Sequence, residues 1–351
     1  MKRNRPCIIR CLLAVLAMLP LLCSCEHKEL CYHHEHYAKL RLEFDWRDAP
    51  DAYPAGMSVF FYPEEPGREP IRFNFMGRDG GGEIEVPLGR YRLLCYNSDT
   101  SGVLFSGVDD IATHTAFTRR GSMLEPMGVQ TKAESDWKLR AEGTENEPVV
   151  ICPDMMWGCN AVDVEVSELG ISYICVPESE KDEWIGRPPV TTEYVITLFP
   201  HELTCIYTYE IRHVKNLDVV SRMSASLSGM SPALRLFDEE LDRQCVTHPF
   251  DAQVDTKTGN IVGRFITFGH HEENTDPHKM MLYLLTKDGR ALVFGTNDKA
   301  FDVTSQVHSA PNKRRVHLII DGLDIPPVPT DPGGYVPGVD DWIEINNDII
   351  I

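Results

Sequence analysis

His201-Glu202-Leu203-Thr204-Cys205 sets an imidazole beside a carboxylate, as in the His-Glu-x-x-His helix where two imidazoles grip zinc and the glutamate activates water. Cys205 stands where the second imidazole belongs, and the Ile-Tyr-Thr-Tyr that follows reads as strand, so no zinc site is expected there. His27, His33, His34, His36 and Cys31 offer ligands that suit zinc, copper or nickel. No second cluster completes them, and they read as a solvated tether; no metal and no cofactor is expected anywhere in the chain. Gly77-Arg78-Asp79-Gly80-Gly81-Gly82 lacks the Lys and Ser/Thr of a phosphate-cradling loop and reads as a hairpin turn. Asp255-Thr256-Lys257-Thr258-Gly259-Asn260 is too poor in carboxylates for a calcium loop and also sits at a hairpin. Cys152 and Cys159 either close a short disulfide or stay reduced. No Gly-x-Ser-x-Gly elbow occurs, and no catalytic residue is expected. Only a carboxylate pair assembled by the fold would leave room for a carbohydrate-active enzyme.

The most specific chemistry belongs to the Cys25 thiol. Lys2, Arg3, Arg5 and Arg10 precede an apolar run from Cys11 to Cys23, the pattern of a secretory leader, too short to span a bilayer. Leu22-Cys23-Ser24-Cys25 resembles the lipobox of bacterial lipoproteins. That resemblance implies cleavage after Ser24 and diacylation of Cys25, placing the mature chain on the outer membrane, lipid-anchored and exposed at the cell surface. Each buried methylene contributes about 0.8 kcal/mol, so two acyl chains give stable anchoring.

What remains after residue 24 carries 30 Lys and Arg against 53 Asp and Glu, a net charge of −23. Such a surface repels phosphate backbones, so no nucleic-acid partner is expected. A hydrophobic content of 42% is enough for globular cores, and the length suits about two domains. Cys95, Cys175 and Cys205 lie in apolar strand-like runs and read as buried thiols.

The elements that must position these residues are strands. Residues 39–46 alternate strictly, turning Leu40, Leu42, Phe44 and Trp46 toward a core. Further strands are predicted at 57–62, 71–76, 83–87 and 91–96, then at 149–152, 161–166, 171–176, 193–199 and 204–214. Others follow at 224–228, 261–268, 280–286, 291–294 and 315–320, with Lys287-Asp288-Gly289-Arg290 as the clearest hairpin turn. Short helices are expected at 179–185 and 238–243. Antiparallel β-sandwiches are the expected fold. The segments are a leader at 1–24, an acylated tether at 25–37, sandwich domains at 38–145 and 146–325, and a tail at 326–351.

That tail opens as a Pro/Gly-rich spacer and closes on a strand-like run with Trp342, Ile343, Ile345, Ile349 and Ile351. An unpaired strand of this composition is an aggregation hazard. It either docks on its own domain or donates a strand to a neighbouring subunit.

Phe44-Asp45-Trp46-Arg47-Asp48-Ala49-Pro50, Pro54-Ala55-Gly56-Met57-Ser58-Val59, Gly89-Arg90-Tyr91-Arg92 and Leu94-Cys95-Tyr96-Asn97 together resemble the DUF5119 lipoproteins of Bacteroides-type bacteria. These are similar to fimbrillin-type pilins, a wider group that Ser224-Ala225-Ser226-Leu227-Ser228-Gly229-Met230 also resembles. The resemblance implies two transthyretin-like (fimbrillin-like) sandwich domains with few short helices. It also implies a structural or adhesive role at the cell surface, with other pilin subunits or surface proteins as partners. The alternative is a monomeric surface lipoprotein that binds glycan or an envelope protein.

Overall fold

The computed structural model describes residues 36–129, 139–295 and 301–327, and the backbone of 343–345. The leader, Cys25, the tether through residue 35 and most of the tail lie outside the described residues.

The chain is all-β. The first strands are β1 (Tyr37–Phe44), β2 (Gly56–Pro63), β3 (Ile71–Met76), β4 (Gly82–Pro87), β5 (Gly89–Asn97), β6 (Val103–Ser106) and β7 (Thr115–Thr118). After a long connection come β8 (Trp157–Ser167), β9 (Gly170–Ile174), β10 (Val190–Thr192), β11 (Val195–Leu198), β12 (His201–Glu202) and β13 (Cys205–Lys215). Then follow β14 (Val220–Met230), β15 (Ala233–Arg235), β16 (Glu240–Leu241), β17 (Val246–Asp251), β18 (Gln253–Asp255) and β19 (Asn260–Thr267). The last elements are β20 (Met280–Thr286), β21 (Ala291–Phe294), the helix α1 (Thr304–His308), β22 (Arg315–Asp324) and β23 (Ile343–Ile345). Residues 178–183 form a 3-10 helix where a helix was expected, whereas 238–243 holds β16 and turns.

Two sandwiches carry the main cores. In the first, the sheet β11-β1-β4 faces β10-β9-β8-β5-β2-β3, with β12 added beside β8. The alternation in β1 works as read: Leu40 and Leu42 are fully buried, Trp46 is buried, and Phe44 packs at the rim of the same core. They meet Val59, Phe61, Leu93 and Val164 of the larger sheet. In the second sandwich, β18-β19-β13-β22 faces β17-β14-β20-β21-β23 around Tyr207, Tyr209, Leu227, Phe250, Leu282 and Leu318. Most neighbours are antiparallel, but β1 with β11, β13 with β22 and β21 with β23 run parallel.

Four expectations change. From sequence the second domain opens at residue 146; in the structure β8 to β11 join the first sandwich, and the second begins at β13. The loose stretch after residue 97 is not a plain linker. Its β6 and β7 pair with β15 and β16 in a small sheet packed on Phe60, Leu94 and Tyr96, the outer face of the first sandwich. Met123, Leu124 and Leu139 then cover Met281, Tyr283 and Val293 on the outer face of the second. The 77–82 glycine loop is no hairpin: β3 pairs with β2 while β4 pairs with β1, so the loop carries the chain from one sheet to the other. Small residues are needed because a Cβ at Gly81 would clash with the Leu42 carbonyl oxygen. Finally, Cys152 packs on the second core and Cys159 lies in the first, both as free thiols, which rules out their disulfide.

The hairpins at 255–260 and 287–290 form as expected. Residues 149–152 make only isolated bridges. Cys95, Cys175 and Cys205 are buried free thiols, as read.

Candidate functional site

Three features of the described residues could recognise something. The first is a sheet edge. β21 is the last strand of its sheet until β23 adds beside it in parallel, Leu292 opposite Ile343, Val293 opposite Glu344 and Phe294 opposite Ile345. Thus Ile343 and Ile345 of the candidate donor strand sit in register on their own chain's sheet. Trp342, Ile349 and Ile351 lie outside the described residues, as does Cys25. The opposite sheet handles its edge differently. Gln306 of α1 donates from Nε2 to the Ile319 carbonyl at 2.9 Å and accepts the Ile319 N–H at 2.8 Å, so one carboxamide stands in for a missing strand on β22.

The second feature is a cleft of about 830 Å³ at one end of the first sandwich. Trp46, Tyr173, Trp184 and Phe199 line it together with Arg47 and Arg78. The Arg47 guanidinium lies 5.0 Å from the Phe199 ring and that of Arg78 5.6 Å from Trp46, geometry in which the ring faces attract the cations. Arg47 is further held by Asp45 at 2.6 Å and Glu180 at 2.8 Å. Trp46 donates from Nε1 to the Arg78 carbonyl at 2.9 Å. Flat aromatic faces beside fixed charges suit a ligand with apolar faces and many hydroxyls.

The third feature is a pair of histidine clusters. The His201 imidazole that begins the near-motif of the sequence is on strand β12, not a helix, and its Nε2 lies 2.8 Å from Glu239. Glu239 also accepts from Arg314 Nη2 at 2.9 Å. Burial works to raise the Glu239 carboxyl, but the His201 hydrogen bond and the nearby positive charges outweigh it and hold it down to about 2. Glu178 stands 3.8 Å from the same imidazole nitrogen. This network borders a cavity of about 450 Å³ lined by Leu203, Leu241, Phe268 and His270. Beyond it His270, His278 and His308 converge, with ring centroids 5.0 to 5.1 Å apart.

Sequence reasoning missed that second cluster because its residues lie on three separate segments with no ligand spacing. It also missed Trp184, Phe199 and Gln306. Partial signals existed, an aromatic on an otherwise charged stretch and a glutamine two residues before a histidine, but neither specifies a partner.

Comparison with known proteins agrees with this architecture. The chain is 24% identical, over 269 residues covering 76% of it and 67% of the relative, to Fim4B of Bacteroides ovatus, named as a candidate fimbrium anchoring subunit. Its fold is similar to the crystal structure of a candidate adhesin from Bacteroides ovatus, with a TM-score of 0.54 at 19% identity over 89% of this chain and 94% of that one. Residues 24–251, well over half of the chain, match the model of the family described as Domain of unknown function (DUF5119), and the chain accordingly belongs to the DUF5119 family, as its sequence resemblance implied.

Proposed function

We propose that this chain is an acylated cell-surface subunit of a fimbrium, with a structural or adhesive role. The observation that carries this is the similarity to a fimbrium anchoring subunit along three quarters of the chain. The all-β fold shared with a candidate adhesin supports it. In this reading the leader ends at Ser24 and Cys25 carries the acyl chains that hold the protein on the outer membrane. Residues 25–37 are the proposed tether between that anchor and the two sandwiches, which divide near residue 200. Other fimbrial subunits are the partners.

The tail is the proposed joint between subunits. A strand that pairs with β21 at home can pair with the same edge of a neighbour, because main-chain hydrogen bonds do not distinguish chains. Trp342, Ile343, Ile345, Ile349 and Ile351 are the residues proposed for that exchange.

A second reading, a monomeric surface lipoprotein that binds glycan, is favoured by the cleft around Trp46, Trp184 and Phe199. The two readings separate in cells. Deleting the gene should shed fimbriae from the cell into the medium, with attachment restored by the wild-type chain and not by Cys25→Ala. Unchanged numbers of attached fimbriae in the deletion strain would refute the fimbrial reading.

A further inference from the structure

We propose that His270, His278 and His308 form a three-imidazole site for one divalent transition-metal ion of the zinc, copper or nickel class. Three segments meet there: the chain leaving β19, the approach to β20, and the last residue of α1. One ring nitrogen from each histidine lies within 4.8 Å of the others, and His278 Nε2 faces His308 Nε2 at 3.1 Å. Metal–nitrogen bonds of about 2.0–2.1 Å at a tetrahedral angle would set such nitrogens about 3.3 Å apart. Modest side-chain rotation therefore closes the set, and borderline ions of this class favour imidazole.

The surroundings prepare the ligands. His278 is fully buried, and its Nδ1 lies 3.1 Å from the Ser228 carbonyl oxygen, so Nδ1–H donates there and the Nε2 lone pair is left facing His308. A ring nitrogen fixed by a backbone carbonyl is the usual support behind a metal-bound imidazole. Asp276 and Asp302 add negative potential at His278. Glu272 does so at His270, where Lys313 opposes it while paired to that same Glu272.

The backbone is built around the site. The His278 N–H donates to Thr304 Oγ1 at 2.8 Å and the Val303 N–H to the His278 carbonyl at 2.9 Å, which docks the start of α1 on the strand. Gly229 has φ +77°, and a Cβ there would come within 2.7 Å of His278 Nδ1. Because His308 is exposed, the fourth coordination position opens to solvent. A bound ion would clip α1, and with it the Gln306 edge cap, to the second sandwich.

The test is calorimetric titration of zinc chloride into chelator-stripped protein whose tether residues His27, Cys31, His33, His34 and His36 are replaced by Ala, so that the tether cannot supply the signal. One equivalent should bind and raise the melting temperature. His308→Ala changes an exposed side chain and should fold. It and His270→Ala should each weaken binding at least tenfold and abolish the rise, and cobalt(II) should show the visible absorption of a tetrahedral site only in the parent. No saturable binding in the tether-substituted protein, or binding untouched by both substitutions, would overturn the proposal.

Discussion

Two histidines that serve no recognised ligand make the protein acid-sensitive in a calculable way. His248 is fully buried in β17, with Nδ1 3.1 Å from the Val150 carbonyl and Nε2 unpartnered. His114 is buried between Tyr62 and Tyr96, whose hydroxyls lie 2.6 and 3.1 Å from its ring nitrogens, within an aromatic shell of Phe60 and Phe105. Burial pushes both down to about 4 from an ordinary 6.5. Between those values the unfolded chain binds more protons than the folded one, so stability is full above pH 6.5 and is lost as pH falls toward 4. Integrated from pH 7 to pH 5, each histidine costs about 2 kcal/mol, and the two together about 4 kcal/mol. Glu147 works the other way, because burial raises its carboxyl and its stabilisation is lost as pH rises. The decisive quantity is therefore a difference. Urea unfolding at pH 7 and pH 5 should give His248→Asn, which keeps a donor to the Val150 carbonyl, a pH-dependent loss about 2 kcal/mol smaller than wild type. An identical loss in the two proteins would refute the reasoning.

Three further substitutions probe the frame. Gln306→Ala removes two hydrogen bonds from the β22 edge and should cost about 1–2 kcal/mol, with concentration-dependent association visible in sedimentation velocity. Gly81→Ala forces a Cβ against the Leu42 carbonyl at the sheet-to-sheet crossing; a loss of about 1–3 kcal/mol is expected in denaturant melts. Glu239→Gln leaves Arg314 and His201 without their shared carboxylate and should destabilise by roughly 3 kcal/mol at pH 7. Because that carboxyl is held at about 2, the difference from wild type should shrink as pH falls from 4.5 toward 2, as read by thermal melts across that range.

The strands themselves are legible because a period of two is written in side-chain type. Residues 39–46 announce β1, and the apolar runs at 280–286 and 291–294 announce β20 and β21 with the turn between them. Pairing is not written the same way. Nothing local tells β4 to leave β3 and join β1, or β8 to cross back to β5 after Met123, Leu124 and Leu139 have covered the other sandwich. Those choices are decided by which apolar faces can be buried together. The same limit governs the sites. The proposed acylation signal at Cys25 is contiguous and readable, whereas His270, His278 and His308 meet only because the start of α1 docks through Thr304 on His278, just before β20. The cleft residues Trp46, Trp184 and Phe199 likewise come from three separate segments.

The central claim, that the chain works as a subunit of a surface fimbrium, is tested most directly by affinity isolation of intact fimbriae sheared from cells expressing an epitope-tagged chain, with photo-cross-linkers at positions beside β21. The account predicts the chain within the isolated polymer, cross-linked through that edge to another subunit, with the cross-link lost when residues 340–351 are deleted. Recovery of the chain solely as an uncross-linked monomer in the membrane fraction would contradict it.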